Sequence, residues 1–208
     1  MMNRNSALSA EFTSNQVEFR VEGDRWGMAL SGVGYGTNLR PVSQAAPQAS
    51  ANRVEYRRGA LTECYLNGPL GIEQGLTIQK RPGTSKGEPL TLAFTLSGNL
   101  SASVDANQRG MTLAKKGSPV MRYRDLVVAD ARGRQLHAWL ETSENQMRIR
   151  VDDSGASYPL LVDPVTQAAK LTSCEPANNA NFGFNVALSG DGHTAVALSN
   201  GAVHVFVE

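Results

Sequence analysis

Apolar residues return at every second position along most of the chain. Val17, Phe19 and Val21 alternate with Glu18, Arg20 and Glu22, which puts three apolar side chains on one face of an extended strand and three charges on the other. Leu90, Leu92, Phe94 and Leu96 alternate with Thr91, Ala93 and Thr95, and Met147, Ile149 and Val151 alternate with Arg148, Arg150 and Asp152. Each ladder predicts a half-buried antiparallel strand with one wet face. Helical spacing is not sustained anywhere, and the sequence contains neither a βαβ pattern nor a capped helix longer than a turn or two.

Between the ladders lie turn signals: Asn67-Gly68-Pro69, Arg81-Pro82-Gly83, Ser97-Gly98-Asn99, Arg109-Gly110, Lys116-Gly117, Arg132-Gly133-Arg134 and Asp153-Ser154-Gly155. Glycine supplies positive φ, and Asn or Asp caps a turn through its side chain, so strands reverse within a few residues. Short strands with frequent reversals predict a β-sandwich or an elongated meander of hairpins. The small, proline-broken run 41–51 is expected to link an N-terminal hairpin to a main sheet over 52–164. The polar stretch Ser173 to Asn181 separates that domain from a last segment. The domains expected are therefore 9–165 and 166–208, with the boundary between Pro164 and Lys170.

Composition narrows the function classes. With 41% hydrophobic residues the chain can bury a core. Lys and Arg number 20 against 19 acids, a formal charge of +1 that gives no long-range field for nucleic acid. No run is long enough to cross a bilayer, so membrane insertion is not expected. The residues after Met1 lack the apolar core of a signal peptide. Cys64 and Cys174 form no CxxC, which leaves no sequence-local zinc knuckle or redox dithiol; whether they pair stays open. Cys64 reads as a small hydrophobe in a strand, and Cys174 as the more reactive thiol in a polar loop.

The last segment carries a recognisable pattern. Phe182-Gly183 opens a strand, Ser189-Gly190-Asp191-Gly192 makes a turn, an apolar strand follows through Leu198, and Gly201-Ala202-Val203-His204-Val205-Phe206 closes the unit. It resembles the FG-GAP repeat of integrin alpha chains and of large bacterial surface proteins. It departs where that family places Gly-Ala-Pro, because Ala197-Leu198-Ser199-Asn200 runs almost directly into Gly201. A closed propeller takes roughly four to eight blades, so a single copy predicts a fragment of something longer. Upstream, Asn52 to Gly59, Glu63 to Gly75 and Tyr158 to Pro164, together with Val17 to Gly36, are similar to a β-rich domain that precedes such repeats in bacterial proteins.

The resemblance implies an extracellular or cell-surface, non-catalytic module for adhesion or for protein or glycan binding. It also implies self-association through the exposed edges of a lone blade. Calcium-binding relatives carry an Asp-x-Asp-x-Asp-Gly loop. Here Asp191 alone is a weak metal candidate, since one carboxylate cannot fill a calcium shell, and no cofactor is expected.

Candidate chemistry is sparse. His137, His193 and His204 adjoin no nucleophile motif. Paired carboxylates for a glycan- or peptide-acting hydrolase, the alternative reading, would have to come from Glu63 with Glu73, or from Asp152 and Asp153 with Asp130. A truncated product without an independent role is a further alternative. Gly32-Val33-Gly34-Tyr35-Gly36 is glycine-rich but precedes no helix, so it builds no phosphate cradle. Trp26 and Trp139 are candidates for sugar stacking or for capping a core. Basic residues cluster at Arg53, Arg57 and Arg58. The candidate ligand-binding set is Tyr56, Arg122, Tyr123, Arg124, Arg148 and Arg150, arginine stripes with interleaved tyrosines suited to sulfated or uronic glycans.

Overall fold

The period-two segments form strands, and the chain contains no helix among the described residues. The computed structural model describes residues 2–3, 8–68, 71–167, 186–189, 194–199 and 202–207. It divides into two units, Met1–Ala168 and Ala169–Glu208. In chain order the first unit holds β1 (Met2–Asn3), β2 (Leu8–Phe12), β3 (Val17–Val21), β4 (Asp24–Tyr35), β5 (Asn38–Pro41), β6 (Gln48–Ser50), β7 (Arg53–Arg58) and β8 (Leu61–Gly68). These are followed by β9 (Gly71–Ile78), β10 (Leu90–Gly98), β11 (Ser101–Val104), β12 (Met111–Lys115), β13 (Ser118–Ala129), β14 (Ala138–Ser143), β15 (Gln146–Val151) and β16 (Leu160–Gln167).

Two antiparallel sheets result. Sheet A runs β1-β2-β3-β4-β10-β15-β14, with β5 also on β4; sheet B runs β11-β12-β13-β16-β9-β8-β7-β6. Their inner faces share one hydrophobic core. Phe19 and Trp26 of sheet A meet Tyr65 and Tyr123 of sheet B, with ring centroids 6.2 and 5.9 Å apart. This is a β-sandwich, in agreement with the all-β expectation. The ladder residues Val17, Phe19, Leu90, Leu92, Phe94, Met147, Ile149 and Val151 are all buried.

The partition between hairpin and main sheet is different from the one expected. Strands from 52–164 fall in both sheets, and β10, β14 and β15 complete the sheet begun by β2 to β4. Residues 42–47 carry the chain from one layer to the other, with Val42 and Ala45 packed on the core. Asp153-Ser154-Gly155 likewise lies in the connection from β15 in sheet A to β16 in sheet B instead of turning a hairpin. Pro164 falls within β16.

Two glycines are dictated by close approach. Gly98 has φ +109°, and a Cβ there would strike the Arg25 carbonyl; a Cβ on Gly34 would strike the Asn38 carbonyl of β5. Lys116 and Gly117, at φ +48° and +86°, make the two-residue turn between β12 and β13, in agreement with the turn expected there.

A polar chain crosses the core. Glu63 Oε1 accepts from Tyr65 OH at 2.7 Å and from Gln74 Nε2 at 3.0 Å, and Gln74 Oε1 accepts from Tyr123 OH at 2.8 Å. Glu63 Oε2 accepts from Arg58 at 2.7 Å. Burial, reinforced by the Glu63 charge, pushes the Tyr65 and Tyr123 phenols well above their ordinary value, so both stay donors. Trp26 Nε1, by contrast, is buried with no hydrogen-bond partner among the described residues.

The second unit contains β17 (Val186–Leu188), β18 (Thr194–Ser199) and β19 (Ala202–Val207), an antiparallel three-stranded meander. Phe182, Gly183, Asp191, His193 and Cys174 lie outside the described residues.

Candidate functional site

Three turns that pair a basic residue with a chain breaker fold to one end of the sandwich. Arg40 precedes Pro41 at the end of β5, Arg57 and Arg58 precede Gly59 in the β7–β8 turn, and Lys80 and Arg81 precede Pro82 after β9. Together they line a groove of about 790 Å³ whose lining, among the described residues, has five cationic side chains and no carboxylate. Val33, Val42, Leu61 and Ile78 supply an apolar floor.

The cations differ in how firmly they are held. Arg58 is fixed from beneath by Glu63, donates Nε to the Ser43 carbonyl at 3.0 Å, and lies 4.6 Å from the Tyr56 ring centroid. Arg57 pairs with Glu55 at 2.9 Å. Arg81 Nη1 stands 2.8 Å from Asp153 Oδ2, which also accepts from Tyr35 OH at 2.7 Å and Tyr158 OH at 2.6 Å. Burial first, then the hydrogen bond to Asp153, raises both phenols above their ordinary value. Arg40 and Lys80 are exposed and have no ion-pair partner among the described residues. The groove thus sets Arg40 and Lys80 beside three cations that are held by Glu55, Glu63 and Asp153.

The residues expected from sequence are dispersed. Tyr56 and Tyr123 are 2% and 0% exposed and belong to the core, so they offer no binding surface. The Tyr56 phenol is pushed up to about 12, mainly by burial. Arg122 and Arg124 lie on β13, on the outer face of sheet B. There, with Arg109, they line a cleft of about 570 Å³ beside the β-bulge at Asp125, which has φ +61°. Arg124 Nε stands 2.9 Å from Asp125 Oδ2, at an angle that makes an ion pair but no hydrogen bond. Arg148 and Arg150 project from β15 in sheet A, and Arg150 is tied to Glu141 at 3.0 Å and to Thr91 Oγ1 at 2.8 Å. The expected arginine stripes are therefore on opposite layers.

The carboxylate pairs do not converge. Glu63 points inward, whereas Glu73, opposite Leu66 in the β8–β9 ladder, points outward. Glu73 meets Asp163 instead. Burial, with the hydrogen bond and charge of Glu73, pushes the Asp163 carboxyl up to about 6. Asp130 Oδ1 accepts from the Arg132 and Arg134 amides at 2.9 and 3.1 Å, and its Oδ2 from the Ser157 amide at 3.2 Å, so it stitches two loops together. Asp152 caps Ser154 at 3.1 Å. Trp26 is a core residue, while Trp139 is half-buried on the edge strand β14. Cys64 lies half-buried on β8, its thiol pushed up by burial. The described residues contain no cluster of three or more metal-ligating side chains, and no helix is long and apolar enough to cross a membrane.

No family model, curated protein or solved structure matches this chain.

Proposed function

We propose that the chain is a non-catalytic binding module whose ligand is an anionic glycan carrying uronate or sulfate groups. The observation that carries the reading is the groove at the open end of the sandwich, with five cations and no carboxylate among its described lining residues. In a chain of net charge +1 such a concentration is local, so it acts at short range on a docked ligand rather than by long-range attraction. The Arg109–Arg122–Arg124 cleft is a weaker candidate, because Asp105 and Asp125 share its lining and Arg124 is paired with Asp125. Glu63 and Glu73 point to opposite faces of sheet B, Asp130 ties two loops together, and Asp153 is committed to Arg81, Tyr35 and Tyr158, which favours binding over hydrolysis. Extracellular display ahead of propeller repeats belongs to the same reading, and it is supported by the order of a β-sandwich followed by a β-meander.

The test is calorimetric titration with polygalacturonate and with its methyl ester, which keeps the backbone and removes the charge. The acid form is expected to bind about tenfold or more tightly than the ester, with the difference falling as salt is added. Equal affinity for the two forms would remove the proposal.

A further inference from the structure

A second cleft, of about 420 Å³, has the opposite chemistry to the groove. On one side the His137 imidazole stacks on the Trp139 indole, with centroids 5.0 Å apart and planes at 26°. The imidazole covers one face of the indole, so the two rings make a stacked aromatic wall whose outer face is that of His137, where the chain enters the edge strand β14. His137 is exposed, so the wall presents an open aromatic face. Its backing is fixed: Trp139 Nε1 donates to Glu141 Oε1 at 3.1 Å, and Glu141 Oε2 accepts from Arg150 at 3.0 Å.

Glu88 and Asp152 also line this cleft, and both are exposed. Hydrogen bonds from Ser154 hold the Asp152 carboxyl below the usual carboxylate range, so it is ionised at neutral pH and acts only as an acceptor. The third carboxylate, Asp153, is already taken by Arg81 and the two tyrosines, and it forms a wall between this cleft and the groove.

A flat aromatic face beside acceptor-only carboxylates matches a pyranose, which has an apolar C–H face and a rim of hydroxyl donors. A uronate or sulfate is repelled by the Asp152 carboxylate. An ammonium cage would need rings on more than one side. We propose that this cleft is a subsite for a neutral pyranose, stacked on the His137–Trp139 wall with its vicinal hydroxyls donated to Asp152 and Glu88. The subsite stands independently of the anionic-glycan reading, because none of its recognition groups lies in the basic groove.

The experiment titrates the ¹⁵N-labelled full chain in turn with cellohexaose, mannohexaose and maltohexaose, following the two indole N–H signals. At least one probe is expected to shift the Trp139 indole saturably while the buried Trp26 indole stays in place. The exposed variants His137→Ala and Asp152→Asn should each weaken that binding about tenfold, with the Trp26 signal certifying the fold. The double variant Arg40→Ala/Lys80→Ala should bind the same probe like the wild type. The proposal is overturned if no probe shifts Trp139, if His137→Ala binds as tightly as the wild type, or if the groove variant abolishes the shift.

Discussion

Arg58 and Glu63 meet at 2.7 Å with side chains only 9% and 4% exposed. The pair joins the rim of the basic groove to the polar chain Glu63–Gln74–Tyr123 that crosses the core. The guanidinium is thereby held in place, which in the proposed binding role would lower the ordering cost.

Breaking this pair from one side strands a charge. Arg58→Ala should destabilise the first unit by about 3–5 kcal/mol, because Glu63 is left buried without its partner. Glu63→Leu in the Arg58→Ala background should recover part of that loss. Urea unfolding followed by tryptophan fluorescence checks both, since Trp26 and Trp139 both lie in the first unit.

Asp163 sets a pH dependence. Its folded carboxyl sits at about 6, above the unfolded value of about 3.9, so the folded state holds more protons between the two. Stability from this group is greatest below about pH 4 and declines as pH rises towards about pH 6. Asp24, Glu55, Asp130 and Asp152, which are shifted downward, contribute equally to wild type and variant. The urea midpoint of wild type relative to Asp163→Asn should therefore fall across that window; a constant gap would refute the assignment.

Gly98→Ala should cost about 1–3 kcal/mol, combining positive φ with collision against the Arg25 backbone. Gly133→Ala, at φ +76° but in open space, should cost less. Thermal unfolding of the two variants ranks them.

Removing residues 169–208 should leave the first unit folded, because the described core residues of that unit run from Leu8 to Val162. The truncated chain should retain the wild-type tryptophan unfolding transition. A broad, non-cooperative transition would contradict this.

The strands were legible because one face of each is buried, and period-two alternation records that directly, as in β3, β10 and β15. Pairing between distant segments was not. Strands β10 and β15 look alike whether they join β4 or a separate sheet, so the expected N-terminal hairpin is in fact half of one layer. Tyr56 and Tyr123 were misplaced for a related reason: the arginines beside them point outward, and alternation sends the tyrosines in. The groove did leave a local trace, because Arg40-Pro41, Arg57-Arg58-Gly59 and Lys80-Arg81-Pro82 each put cations at a strand end. Their convergence depends on topology, which a sequence ladder does not encode. The Glu63–Gln74–Tyr123 chain was hidden as well, since polar residues at inward positions read as breaks in a pattern until their partners are known.

The most direct test of the account is the affinity of Arg40→Ala/Lys80→Ala for polygalacturonate as a function of salt. Both side chains are exposed and have no ion-pair partner among the described residues, so their loss should leave the fold intact. The account predicts binding weakened by about tenfold or more, with a shallower salt dependence than wild type. Unchanged affinity with an unchanged salt slope would show that the basic groove does not hold the ligand.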